Sequence, residues 1–121
     1  MNTCSCKNAW RCTRTMAMTE AQTMDTQWLL SEIAELFKVL GDTNRLRIIE
    51  ALDGTERSVQ ELENMLEMSQ SAVSHQLHTL RLARLVQVRK EGKNRYYTLD
   101  DGHVEGIFRI AAEHVKEKRL L

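Results

Sequence analysis

Apolar side chains recur every three or four residues over much of the chain, the spacing that buries one face of an α-helix. The first such run extends from Trp28 to Leu40 and ends at Gly41. A second helix is expected to start with Thr43 as its cap and to close at Gly54. Its buried residues are expected to be Leu46, Ile49 and Leu52.

Two further helices are predicted, each beginning at a serine. Ser58-Val-Gln-Glu61 is a capping-box sequence and opens a third helix that carries Val59, Leu62 and Leu66. Ser69 is expected to cap a fourth helix, with Val73, Leu77 and Leu80 on one stripe. The three residues from Glu67 to Ser69 separate the two helices, and a break this short fits a helix-turn-helix.

The pattern changes after the fourth helix. Residues 85–99 form two β-rich segments around a charged turn at Glu91–Asn94, which predicts a hairpin, and residues 101–118 return to helical periodicity. The predicted fold class is mainly α with a small β-hairpin, a winged helix-turn-helix of four helices, a β-wing and a C-terminal dimerisation helix. Residues 27–121 are expected to form this domain, and residues 1–26, which lack apolar periodicity, a flexible N-terminal arm.

Charge is unevenly distributed along a chain whose formal net charge is zero. Residues 20–68 carry four basic and eleven acidic side chains, a net charge of −7. Residues 69–98 carry six basic side chains and Glu91 as the one acidic residue, a net charge of +5. A basic block flanked by acidic segments indicates a local phosphate-binding surface.

Several function classes receive no support from the sequence. No apolar run approaches the roughly 18 residues of a membrane span and the polar N-terminus lacks a secretory core, so we expect a cytoplasmic protein with no membrane partner. The chain has no recognisable nucleophile and base motif and no phosphate-cradling glycine loop. We therefore expect neither an enzyme nor a protein with a small-molecule substrate.

The exposed face of the fourth helix and the hairpin are the candidate DNA-binding surface. Small and polar side chains lie opposite the apolar stripe, and serine can pair with several bases. Basic side chains on the hairpin are placed to bind phosphates. The predicted DNA-binding residues are Gln70, Ser71, Ser74, His75, His78, Arg81, Arg89, Lys90, Lys93 and Arg95. The alternative is that the polar face of the fourth helix is simply a solvated surface, and that the hairpin charges protect a sheet edge from pairing with another strand.

Three segments in one order resemble the ArsR/SmtB family of metal-sensing transcriptional repressors. The resemblance lies in Leu40-Gly-Asp-Thr-Asn-Arg-Leu-Arg-Ile-Ile49, Ser69-Gln-Ser-Ala-Val-Ser-His-Gln-Leu-His-Thr-Leu80 and Arg89-Lys-Glu-Gly-Lys-Asn-Arg-Tyr-Tyr-Thr-Leu99. It extends over about residues 33–118. It implies a homodimer that binds double-stranded DNA at a palindromic operator, with repression lifted by an inducer.

The last predicted helix carries a candidate metal site. Asp101 and His103 stand at its start, and His114 and Glu117 stand near its end. Oxygen and imidazole donors suit tetrahedral Zn²⁺. The eleven residues from His103 to His114 make nearly three helical turns, so both project from one face, but they rise about 16 Å. Zinc bonds are about 2 Å long, so two antiparallel copies would have to share each site.

The same four residues can also be read as ordinary helix features. Asp101 would then be an N-cap, and His114 and Glu117 a solvated pair. The arrangement Asp-x-His, ten residues, then His-x-x-Glu nevertheless resembles the C-terminal-helix zinc site of the family's zinc sensors. That resemblance implies Zn²⁺ as effector, or Co²⁺, Ni²⁺ or Cd²⁺ in its place.

Cys4, Cys6 and Cys12 are the remaining candidate ligands. Some relatives join N-terminal cysteines to two cysteines at the start of the third helix, but here that segment reads Ser58-Val-Gln60 and offers no thiolate. The three cysteines could be a soft-metal site, a redox tag or a relic, and we favour a relic or an accessory role. His75 and His78 could also chelate a metal, although we expect them to contact DNA.

The sequence therefore predicts a metal-responsive repressor whose apo-dimer binds its operator and leaves it when zinc binds at the dimer interface. Two alternatives remain open. One is a thiol redox-sensing repressor on the same scaffold. The other is a zinc-linked dimerisation protein without DNA function.

Overall fold

The computed structural model describes the backbone of residues 20–119 and the side chains from residue 26 onward. Its helices are α1 (Glu20–Leu40), α2 (Thr43–Ala51), α3 (Val59–Leu66), α4 (Gln70–Leu82) and α5 (Gly102–Arg119). Its strands are β1 (Arg57–Ser58), β2 (Val86–Glu91) and β3 (Asn94–Leu99). The predicted order of four helices, a hairpin and a last helix is confirmed.

The start of α1 differs from the expected one. The helix begins at Glu20, eight residues before Trp28, where the apolar pattern starts, so residues 20–26 of the expected arm are helical. The rest of that arm, residues 1–19, lies outside the described residues. The chain divides into two units, residues 1–34 and 35–121, and the fold described below belongs to the second. None of the described helices is long and apolar enough to cross a membrane.

Short polar side chains cap the starts of α2, α3 and α4. The prediction that Thr43 caps α2 was wrong. Asp42 has an extended backbone, and its Oδ1 accepts hydrogen bonds from the amides of Asn44 (2.8 Å) and Arg45 (3.3 Å). Ser58 and Ser69 are the predicted caps, and their Oγ atoms accept the amides of Glu61 and Ala72, each at 3.2 Å.

One apolar core joins the helices to the sheet. The predicted buried residues of α3 and α4 are confirmed, except that Val59 is half-buried. In α2 the prediction was partly wrong, because Ile48 is fully buried whereas Leu46 is half-buried. The core consists of Ile48, Ile49, Ala51, Leu52, Leu62, Leu66, Val73, Leu77, Leu80, Leu85, Val86, Tyr97 and Val104.

The sheet has three antiparallel strands in the order β1-β3-β2. The hairpin is the predicted one: Glu91 pairs with Asn94, and Gly92 has the positive φ of 61° that a two-residue turn favours in glycine. The edge strand β1 was not predicted, because two residues are too few to show an alternating pattern. Its Arg57 and Ser58 pair with Tyr97 and Tyr96 and so attach the hairpin to the start of α3.

Candidate nucleic-acid interface and metal centre

The turn between α3 and α4 has the geometry of a helix-turn-helix. Glu67 ends α3 in the left-handed conformation, with φ of 53°, and its amide bonds to the carbonyl of Glu63. From α2, Arg47 donates a hydrogen bond from Nη2 to the carbonyl oxygen of Leu66 at 2.8 Å. This bond satisfies a free carbonyl at the end of α3 and fixes the point from which α4 starts.

Helix α4 buries one face and exposes another, as its sequence predicts. Val73, Leu77 and Leu80 are completely buried. Gln70, Ser71, Ser74, His75, His78 and Arg81 are all exposed. The buried stripe therefore fixes which polar groups the helix offers to a major groove.

A polar cleft of about 1020 Å³ lies between α3, α4 and the hairpin. Six of the ten predicted DNA-binding residues line it: Gln70, Ser74, His78, Arg81, Lys93 and Arg95. The structure thus brings the exposed face of α4 and two of the hairpin cations, Lys93 and Arg95, to one concave surface. Ser71, His75 and Lys90 are exposed outside this cleft.

The hairpin cations near the turn have no acidic partner. Lys90 and Arg95 stand directly opposite each other on β2 and β3, and no carboxylate of the described residues forms an ion pair with either of them or with Lys93. Like charges in this relationship repel, and a bound anion would relieve that repulsion. The arrangement suits the phosphate backbone of a nucleic acid.

Arg89 is placed differently from the other hairpin cations. Its guanidinium binds both carboxylate oxygens of Glu56, at 2.7 and 3.0 Å, and Oε2 of Glu91 at 2.7 Å. The hydrogen bond from Arg89 lowers the pKa of the Glu56 carboxyl, and the Glu56 carboxylate in turn raises the pKa of Arg89. Glu56 is not predictable from the sequence, because 33 residues separate it from Arg89 and no motif links the two.

The first candidate ligand pair lies at the start of α5. Oδ1 of Asp101 accepts the amides of His103 (2.9 Å) and Val104 (3.3 Å), so Asp101 acts as an N-cap. Oδ2 lies 3.2 Å from Nδ1 of His103, and this side-chain contact lowers the pKa of the Asp101 carboxyl. The His103 side chain is 91% exposed. Asp101 can therefore cap α5 through Oδ1 and still offer Oδ2 to a metal ion, because the two roles use different oxygens.

The second candidate pair, His114 and Glu117, lies exposed near the other end of α5. Among the side chains that the structure describes, those of residues 26–119, no three of the types His, Cys, Asp and Glu are grouped closely enough within one chain to hold a metal ion. A complete four-ligand site on α5 therefore remains a prediction. Cys4, Cys6 and Cys12 lie outside the described residues.

A second surface feature is an apolar groove of about 540 Å³ along α5. It lies between α5, α2 and the end of α1 and is lined by Phe37, Leu40, Leu46, Ile107, Phe108 and Val115, among others. Ile110 is 69% exposed on the same helix. Helix α5 therefore exposes apolar side chains both in the groove and beside it.

The helix-turn-helix and its basic hairpin define a winged helix-turn-helix protein. Residues 42–88 match the family described as bacterial regulatory protein, arsR family. The chain is 45% identical over 86 residues to a transcriptional repressor SmtB homolog of Synechocystis, covering 71% of this chain and 65% of that one. It is 38% identical to a cadmium resistance transcriptional regulatory protein CadC homolog of Staphylococcus aureus, over 71% of this chain and 72% of the relative.

A solved structure supports the same assignment. The homodimeric winged helix-turn-helix DNA-binding domain of a possible ArsR-family regulator from Mycobacterium bovis matches with a TM-score of 0.72 and 27% identity, over 84% of this chain and 92% of that one. The protein belongs to the ArsR/SmtB family of transcriptional regulators. Its family and fold are those of DNA-binding regulators and not of enzymes.

Proposed function

We propose that the protein is a homodimeric, metal-responsive repressor. Without metal it binds a palindromic operator, and it leaves the operator when zinc, or a similar divalent ion, binds between the two subunits. The observation that carries the proposal is the Asp101–His103 pair, whose Oδ2 and Nδ1 atoms lie 3.2 Å apart at the exposed start of α5. The names of the relatives, one a repressor and one a cadmium resistance regulator, agree with it.

The donor set fits zinc. Two carboxylates and two imidazoles are ligands that Zn²⁺ accepts in tetrahedral sites. Asp101 uses Oδ1 as the helix cap and keeps Oδ2 for another partner. When bound, the ion would supply a cross-link between α5 helices.

Each site should combine residues of two chains. Helix α5 is continuous from Gly102 to Arg119, so His103 and His114 are separated by about 16 Å of helix rise. An antiparallel second copy brings His114 and Glu117 to the partner's Asp101 and His103. The same packing covers the apolar groove and the exposed Ile110.

Helix α5 is also in contact with the DNA-binding part of the chain. It packs against α2 and β3, and its Val104 belongs to the common core. A change in how two α5 helices pack would therefore shift the recognition helices and wings of the dimer relative to each other. Coupling free energies between such sites are about 1–3 kcal/mol, and DNA must weaken metal binding equally.

The test is operator binding by apo-protein, followed by addition of Zn²⁺, Co²⁺, Ni²⁺ or Cd²⁺, with the operator selected from a random duplex pool. His103→Ala and His114→Ala should bind DNA as wild type does but lose the metal response. Glu113→Gln is the matched control, because it removes an exposed carboxylate beside His114. Release of a His103→Ala/His114→Ala double variant by zinc would contradict the proposed site.

A further inference from the structure

The Arg89 side chain connects strands β2 and β3 to Glu56, the residue before β1. Arg89 lies on β2 directly opposite Tyr96 of β3, and its guanidinium carbon is 4.8 Å from the centre of the Tyr96 ring. Beyond that ring the guanidinium reaches Glu56, the residue before β1. The side chain therefore extends across the central strand to the opposite edge.

The backbone connection along the same edge is short. β1 contributes only Arg57 and Ser58 to the sheet, and Ser58 is at the same time the N-cap of α3. The paired carboxylate of Glu56 stands immediately before this segment. A bidentate arginine–carboxylate pair fixes orientation as well as distance, which a lysine cannot do.

The position of Arg89 argues against a direct phosphate contact. Its guanidinium is already bound by two carboxylates, whereas Lys90 and Arg95 form no ion pair with the residues that the structure describes. A phosphate at this point would meet the negative charges of Glu56 and Glu91.

We propose that Arg89 and Glu56 are positioning residues for DNA binding, which hold the hairpin at a fixed angle to the helix-turn-helix so that Lys90, Lys93 and Arg95 meet the phosphates. This deepens the proposed function, since it rests on DNA binding by the apo-protein. It does not depend on the metal response.

The test compares Glu56→Gln with Asp53→Asn in metal-free protein. Both changes remove one negative charge from the same exposed segment, but Asp53 forms no ion pair with any described residue. The probe is a duplex that the wild-type protein selects from a random pool. Glu56→Gln should bind it about threefold to fivefold more weakly than Asp53→Asn. If Arg89 instead binds phosphate, loss of Glu56 frees it and binding becomes tighter.

Arg89→Lys provides the second variant. It keeps the positive charge but not the bidentate contact with Glu56, so it should weaken DNA binding to the same extent as Glu56→Gln. Wild-type affinity of Arg89→Lys, or equal or tighter binding by Glu56→Gln, would overturn the proposal.

Amide hydrogen exchange of the free protein gives a readout that needs no DNA. Both variants should speed exchange in residues 86–99 and leave residues 73–80 of α4 unchanged. Unchanged exchange in the hairpin would also overturn the proposal. If Glu56→Gln speeds amide exchange throughout the domain, the proposal is tested with Arg89→Lys instead. Its DNA affinity and its amide exchange in the hairpin are then the two measurements. If the protein binds DNA but does not respond to metals, the proposed metal response is wrong. The test of Arg89 and Glu56 is still valid in that case, because it uses metal-free protein.

Discussion

Arg45 donates a hydrogen bond from Nε to Oε1 of Gln76 at 2.8 Å, across 31 residues of sequence. The same guanidinium donates from Nη1 to the carbonyl oxygen of Val39 at 3.0 Å. One side chain of α2 thus holds the end of α1 and the middle of the recognition helix α4. Because α1 and α5 line the same apolar groove, this contact connects the proposed dimer face with the DNA-binding helix.

Replacement of Gln76 by alanine tests this contact. The variant leaves a partly buried Arg45 without its side-chain partner and should lower the free energy of unfolding by about 1.5 kcal/mol. Urea denaturation at one fixed protein concentration measures the change. Gln60→Ala, at an exposed position of α3, should have little effect. Equal effects of the two substitutions would mean that the Arg45–Gln76 bond contributes nothing to stability.

The apolar face of the recognition helix should dominate its stability. Leu77 is completely buried, and Leu77→Ala should cost about 2–5 kcal/mol of unfolding free energy, the range for leucine truncations in cores. Leu82 lies on the same helix and is 72% exposed, so Leu82→Ala is the matched control and should cost much less. Similar losses in both variants would contradict the assignment of the buried face.

The hairpin cations should control affinity without controlling sequence preference. Lys93→Ala and Arg95→Ala should weaken binding to every duplex and reduce the slope of log K against log salt concentration by about one unit each. Lys118→Ala, on the last turn of α5, should leave that slope unchanged. A wild-type slope for Lys93→Ala and Arg95→Ala would show that the hairpin does not contact the DNA backbone.

The polar face of α4 should control sequence preference. Ser74→Ala or His75→Ala removes a group able to approach base edges and should reduce the ratio of operator binding to random-duplex binding. Competition between the selected duplex and a scrambled one measures this ratio. If both variants keep the wild-type ratio of operator binding to random-duplex binding, Ser74 and His75 do not contribute to sequence recognition.

Subunit exchange tests whether each metal site is shared between chains. A His103→Ala homodimer and a His114→Ala homodimer both lack an intact site. After mixing, each heterodimer should regain one tight Zn²⁺ site, because one of its two sites keeps all four ligands. Titration of the mixture with zinc measures this recovery. An intramolecular site stays broken in every chain, so no recovery after demonstrated exchange would refute the shared arrangement.

Local patterns in the sequence predicted most of the fold. Helix faces, the serine caps and the glycine turn depend on residues at most a few positions apart. The predictions at Ser58, Ser69 and the hairpin turn are therefore confirmed. The error at Thr43 was local, whereas the error at Leu46 was not. The preceding Asp42 is the residue whose side chain reaches the free amides, and Ile48 takes the core position because tertiary packing fixes the rotation of α2.

The candidate site, like the fold, was predictable from the sequence only where local patterns determine it. The sequence by itself determined which residue types stand on the exposed face of α4, on the hairpin and along α5, because a helix or strand period fixes the face of each residue. Only the tertiary structure decided which cations are free: 33 residues of chain fold back to place Glu56 on Arg89, while Lys90 and Arg95 form no ion pair within the described part of the chain. Pairing of charges depends on distances in space, and no local period encodes them.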